Sequence, residues 1–229
     1  MAAALTAASL LYFGVVHINS PSHEVYPVAG VDVSHHQGKI DWEVLSSQGI
    51  DFAYIKATEG ATFVDPEFEE NFKNARATSL RVGAYHFFSF DSTGEEQAKH
   101  FRRTVEPYEG MLPPAVDVEY YGDYASGKSV DEAKVKAELR KLIDLLTEEY
   151  GMRPVVYAAD DSYDAFVRGE FDDCDTWCRS VYSGVGDGVD WTFWQYSNRH
   201  VLDGYEGGER YIDMNVYNGD KNSFMKYPN

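Results

Sequence analysis

The chain has 229 residues, room for one large domain or two small ones, and no period recurs along it that would mark a repeat array. Its 20 Lys and Arg against 38 Asp and Glu give a formal net charge of −18, so a nucleic-acid backbone would be repelled and is not an expected partner. With 44% hydrophobic residues it can bury a full core, which an acidic disordered tail cannot do. The 17 Tyr, 13 Phe and 4 Trp are more aromatics than a core of this size usually takes, so some are expected to face a ligand, sugars being one candidate because their C–H bonds stack on ring faces.

Residues 2–16 are uncharged, and the apolar stretch ends at His17 and Ile18 before Pro21 and Ser22, shorter than the ~20 residues of a membrane-spanning helix. A signal-like or anchor-like leader over residues 1–28 fits this better, although it lacks a positive start and a clear small-x-small cleavage site. That predicts a secreted or membrane-tethered extracellular protein, the leader being the part that touches a membrane, with one domain over residues 29–229. An ordinary buried N-terminal helix is the alternative.

From Ala29 onward, apolar runs alternate with amphipathic stretches. Eight runs read as strands, at 30–34, 52–57, 82–88, 114–119, 154–158, 176–181, 191–196 and 211–216. Asp65-Pro66 supplies a cap and a first-turn proline ahead of Phe68, Phe72 and Ala75, and Ser129-x-x-Glu132 has the form of a capping box. The second signal opens the longest helix, in which Val135, Leu139, Leu142, Ile143 and Leu146 recur at three- and four-residue spacing until Gly151 stops it. Strand and helix in alternation imply a parallel sheet. The Gly-rich stretch 182–190 is too short for a crossover helix, so the fold expected is an irregular TIM-like β/α barrel of eight strands and fewer than eight helices, in one domain. An open doubly wound sheet is the structural alternative, but no Gly-rich phosphate loop follows the first strand. Cys174 and Cys178 would stand ~13 Å apart in an extended segment, too far for a disulfide, and close enough only in a helical turn.

Acids interrupt three of the apolar runs: Asp32 in the first, Asp117 and Glu119 in the fourth, Asp213 in the eighth. A carboxylate inside a buried strand loses hydration worth several kcal/mol unless it is compensated, so four aimed at one barrel mouth point to chemistry. Asp117 and Glu119 are two positions apart, so on a strand both face the same side, ~6.5 to 7 Å apart at Cα. Crowded carboxyls in a partly dry site leave one protonated at neutral pH, which is what a glycosidic oxygen needs in order to leave. The longer Glu119 at the strand end is cast as general acid and then base, with Asp117 ionised. Asp32 and Asp213, on strands that adjoin when the barrel closes, would hold ring substituents or tune the pair.

Taken together, Gly-Val-Asp-Val-Ser at 30–34 with Gln37, Phe-Ala-Tyr-Ile-Lys-Ala-Thr-Glu-Gly at 52–60, Gly-Ala-Tyr-His-Phe at 83–87, Asp117-Val-Glu119, Trp-Thr-Phe-Trp-Gln-Tyr at 191–196 and Ile-Asp-Met-Asn-Val at 212–216 resemble the family 25 glycoside hydrolases. The likeness runs in order from about Gly30 to Asn218. It implies an irregular β/α barrel and cleavage of the β-1,4 bond between N-acetylmuramic acid and N-acetylglucosamine in peptidoglycan; separately, no cofactor and a monomeric state are expected. It also implies the acidic quartet Asp32, Asp117, Glu119 and Asp213, with Glu119 as the acid. A close Asp-x-Glu pair is similar to sites where the sugar's own 2-acetamido oxygen attacks the anomeric carbon; direct attack by Asp117 is the rival, and spacing does not separate the two.

Tyr85, Phe87, Tyr157, Trp177 and Trp194 near strand ends are candidate sugar platforms, Gln195 a polar contact, and Lys56 with Glu59 either a scaffold pair or a substrate contact. Two other functions are open to the same residues. His35, His36 and His86 with Asp32 could serve a metal-dependent polysaccharide hydrolase or deacetylase, although adjacent residues of one strand point to opposite faces. A glycan-binding module without activity is the other. The acidic charge also predicts repulsion from polyanionic walls, hence activity favouring acid pH or neutral sugars. Few residues follow Tyr217, so targeting is expected to come from the leader, a partner or the groove itself.

Overall fold

The computed structural model describes residues 19–228, so residues 1–18, on which most of the leader expectation falls, lie outside the described residues. Among the described residues nine strands form one sheet: β1 (Ala29–Val33), β2 (Phe52–Glu59), β3 (Phe63–Val64), β4 (Arg81–Phe87), β5 (Ala115–Val118), β6 (Val155–Ala159), β7 (Thr176–Arg179), β8 (Phe193–His200) and β9 (Ile212–Tyr217). Their order is β1-β9-β8-β7-β6-β5-β4-β2-β3, and β1 also pairs with β2. Eight strands therefore close a barrel, while β3 folds back on the end of β2 as a short hairpin. Among the described residues there are seven α-helices: α1 (Trp42–Ser46), α2 (Phe68–Ala75), α3 (Gly94–Thr104), α4 (Gly122–Ala125), α5 (Glu132–Tyr150), α6 (Asp160–Ser162) and α7 (Lys221–Lys226). None is long and apolar enough to cross a membrane.

The expected barrel is present, with two local corrections. The sheet is mixed, because β9 runs antiparallel to both β8 and β1. A parallel neighbour needs a crossover, whereas β8 returns through a loop without one, so the chain must reverse. At α5 the cap is Asp131, which accepts a hydrogen bond from the Lys134 amide at 3.1 Å, and not Ser129. Asp and Ser cap equally well, and sequence alone does not choose between candidates two residues apart. Gly151 ends that helix at φ 67°, as its position suggests.

Side chains alternate across each strand, and the two faces build two cores. Outward residues such as Val31, Ile55, Ala84, Val116 and Val156 pack under Phe72, Phe101, Leu139, Leu142 and Leu146 of α2, α3 and α5. Inward at one end, Phe52, Tyr54, Trp177, Phe193 and Tyr217 fill the barrel, closed by Phe224 of α7 and by Tyr227. Two glycines make this fit: a Cβ on Gly30 would come within 2.4 Å of the Phe52 ring, and one on Gly83 within 2.4 Å of the Tyr54 ring. The opposite end is left open and polar. Before β1, Val28 is fully buried and Tyr26 lies against Trp191 and Trp194.

Candidate active site

At the open end the inward positions continue two residues beyond the aromatic plug and change character. Phe52 and Tyr54 lead to Lys56 on β2, Ala115 to Asp117 on β5 with Glu119 just past it, Trp177 to Arg179 on β7, and Phe193 to Gln195 on β8. These residues, with Asp32, Tyr85, Phe87, Tyr157 and Asp213, line one cleft of about 560 Å³. On seven barrel strands the cleft lies at the C-terminal end, and on the reversed β9 at the N-terminal end, where Asp213 is the second residue. His36, Asn198, Glu209 and Tyr211 add a wall. That wall is held by the loop after β8, whose Glu209 amide donates to the His36 carbonyl at 3.0 Å and whose Tyr211 carbonyl accepts from Gln37 at 3.0 Å.

The four acids meet there as two pairs. Asp32 and Asp213 stand opposite each other in the β1–β9 register. Gln195 Nε2 donates to Asp32 at 2.9 Å and to Asp213 at 3.2 Å, and Asn215 Nδ2 donates to Asp32 at 2.7 Å. The Tyr157 hydroxyl donates to Gln195 Oε1 at 3.0 Å, which fixes the amide's orientation. Burial pushes both carboxyls up, Asp213 well above the usual carboxylate range because the Asp32 charge adds to the desolvation. The hydrogen bond between them favours the proton on Asp213, and the amide donors favour the charge on Asp32.

Asp117 and Glu119 form the second pair. Burial and then the Glu119 charge hold Asp117 well above its ordinary value, while burial raises Glu119 against the opposing pull of Arg179. Asp117 Oδ1 is buried with no hydrogen-bond partner among the described residues. An orphaned buried acceptor is uncommon and costs free energy, and a donor arriving from a bound ligand would satisfy it.

The proposed sugar contacts divide. Tyr85, Phe87, Tyr157, Trp177 and Gln195 line the cleft, although Trp177 is only 2% exposed and lies in its floor, its Nε1 donating to Asn215 Oδ1 at 2.8 Å. Trp194 does not line it. Between inward Phe193 and Gln195 it faces outward, edge-on to Tyr26 and Trp191, its Nε1 donating to the Ser180 carbonyl at 2.9 Å. Lys56 pairs with Glu59 at 2.7 Å and lies 4.8 Å from the Phe87 ring centroid, so it is scaffold and cleft lining together.

The histidines go to other tasks. His86 points into the outer core, its ring nitrogens 2.7 Å from Thr58 Oγ1 and 3.0 Å from Gln97 Oε1, and His35 Nδ1 is 2.7 Å from Asp65. Among the described residues no three His, Cys, Asp or Glu side chains are grouped as a metal would need. Cys178 lies in extended β7, and both cysteines are free.

The model of Glycosyl hydrolases family 25 matches residues 31–205. The chain belongs to this family. A family 25 glycosyl hydrolase from Bacillus anthracis has a similar structure, with a TM-score of 0.86 and 45% identity over 92% of this chain and 97% of that one. The bacterial lysozyme of Streptomyces coelicolor superposes with a TM-score of 0.75 at 28% identity, covering 86% of this chain and 95% of that one. In sequence, Lysozyme M1 of Streptomyces globisporus is 32% identical over 84% of this chain and 68% of its own length. An uncharacterised Escherichia coli O157:H7 protein, YegX, is likewise 32% identical, over 88% of this chain and 74% of its own.

As a family 25 glycoside hydrolase the chain has an acid in its cleft that the family match does not reach, since the match ends at Tyr205 and Asp213 enters through the β9 register. The sequence reading did not single out Arg179, Asn198, Glu209 or Tyr211 of the lining, nor the buried Asn215 that donates to Asp32. Arg179 and Asn215 each stand two positions from a residue already singled out, Trp177 and Asp213, and strand alternation alone would have found them.

Proposed function

We propose that this glycoside hydrolase is an N-acetylmuramidase of the lysozyme type, cleaving the β-1,4 bond between N-acetylmuramic acid and N-acetylglucosamine in peptidoglycan. The observation that carries the proposal is the Asp117–Glu119 pair, two carboxyls on one face of one strand end that burial holds above their ordinary values, with Asp117 Oδ1 buried and without a donor among the described residues. In the free cleft burial favours the proton on Asp117. A substrate acetamido N–H donated to Oδ1 stabilises the ionised form of Asp117, and the proton passes to Glu119. Glu119 then protonates the glycosidic oxygen while the acetamido oxygen attacks the anomeric carbon, giving a cyclic oxazolinium ion oriented by Asp117. Water, deprotonated by Glu119, opens that ion with net retention. Tyr85, Phe87, Tyr157, Trp177 and Gln195 shape the cleft for sugar rings, and Asp32 with Asp213 holds ring hydroxyls.

The similarity to lysozymes in sequence and in structure supports this substrate class. Digestion of purified peptidoglycan with mass-spectrometric identification of the new ends tests it. New muramic acid reducing ends are expected, reduced ~10²- to 10⁴-fold in Glu119→Gln, as for loss of a general acid. Glucosamine ends, or undiminished activity in the variant, overturn it. A peptidoglycan substrate also agrees with a secreted or wall-facing site of action.

A further inference from the structure

Arg179 sits on β7, between β5 with the Asp117–Glu119 pair and β9 and β1 with Asp213 and Asp32 in the barrel order. It is one residue pair above the floor, beside Gln195 in the β7–β8 register. Several arginines elsewhere in this acidic chain have fixed carboxylate partners: Arg102 pairs with Glu149, Arg140 and Arg153 with Asp173, Arg168 with Asp164. Among the described residues the Arg179 side chain makes no hydrogen bond and no contact ion pair, although its charge is felt at Asp32, Glu119 and Asp213. Lys56, the other cation of the lining, is already neutralised by Glu59. Among the described residues the cleft thus holds one guanidinium with its donors uncommitted, part-buried and carried by a strand.

A guanidinium presents a planar fork of N–H donors that matches a carboxylate bidentately, and such charge-assisted pairs are about twice as strong as neutral hydrogen bonds. Neutral sugar hydroxyls and acetamides use that fork poorly. Taking the muramidase reading as its basis, we propose that Arg179 is a specificity-determining residue that binds a carboxylate carried by the glycan, the lactyl carboxylate of a muramic acid residue whose peptide has been removed. The same contact admits an anionic sugar into a cleft whose other charges are acidic, and it disfavours neutral chitin-type chains.

The test compares kcat/KM on soluble oligosaccharides bearing free lactyl carboxylates with kcat/KM on the same oligosaccharides after methyl esterification, for the wild type, Arg179→Met and Arg179→Lys. The wild type is expected to prefer the free acid at least tenfold. Arg179→Met should bring the ratio to near one, chiefly through KM on the free acid, and Arg179→Lys should retain part of it as a point charge without the fork. An equal loss on both substrates, or a wild type indifferent to esterification, overturns the proposal. Binding of free N-acetylmuramic acid against N-acetylglucosamine, followed by NMR, separates this from the cleavage reading. Should the wild type cut neither substrate, a preference for the acid that Arg179→Met abolishes still supports the site, and equal binding of both sugars refutes it.

Discussion

At the closed end of the barrel Phe52, Tyr54, Trp177, Phe193 and Tyr217 interlock around two glycines, whereas one or two inward positions along the same strands stand Lys56, Arg179, Gln195, Asn215 and Asp213. The strand geometry is common to both ends, and what differs is what each layer is asked to bury. The plug removes apolar surface from water and stabilises the fold. The mouth desolvates carboxyls that would be more comfortable in water, and their protonation is shifted as a result. Stability is concentrated at one end and, on the proposed function, chemistry at the other, ~7 Å apart along a strand.

Substitutions should separate the two ends. Glu119→Gln is expected to abolish most turnover, by ~10²- to 10⁴-fold, while leaving the denaturation midpoint nearly unmoved; a large drop in stability would show the mouth to be structural. Phe52→Ala should do the reverse, costing ~3 to 5 kcal/mol in urea unfolding through the cavity it leaves, with specific activity of the folded fraction retained.

A third contrast concerns pH. His86, buried behind the mouth, has its pKa pushed down to about 4 by burial, against an ordinary 6.5. Between those values the unfolded chain takes a proton that folded His86 refuses, so stability falls as pH drops from about 6.5 to 4, by roughly 3 kcal/mol in all. His86→Gln should flatten that slope, and a slope identical to that of the wild type would refute the assignment. Asp213 has the opposite sign. Its raised folded pKa means the folded state holds the proton more tightly, so this acid weakens folding as pH rises above the ordinary aspartate value. Asp213→Asn should therefore stabilise the protein at pH 7, on the order of 1 kcal/mol, with no effect near pH 3; destabilisation at pH 7 would contradict it. The smallest effect is expected from salt. With a net charge of −18, lysis of polyanionic walls should rise a few-fold with ionic strength while hydrolysis of soluble neutral fragments stays flat.

Much of the barrel can be read from the chain because buried strands carry near-continuous apolar runs, against which an acid such as Asp117 stands out. The direction of β9 cannot, since side chains alternate identically whichever way a strand runs. The same alternation bears on Trp194 and Gln195: neighbours on one strand cannot both face the cleft, and burial decides in favour of Gln195. Trp177 shows a further limit, for inward orientation does not say whether a ring lies in the floor or stands free.

By itself the sequence determined the periodicities, the acids within them and the long helix ended by Gly151, because these depend on neighbours a few residues apart. The tertiary structure alone decided that Asp32 faces Asp213 and that, among the described residues, Asp117 Oδ1 lacks a donor and Arg179 makes no hydrogen bond or contact ion pair. Those are relations between residues far apart in the chain, set by barrel closure and by which groups closure withdraws from water.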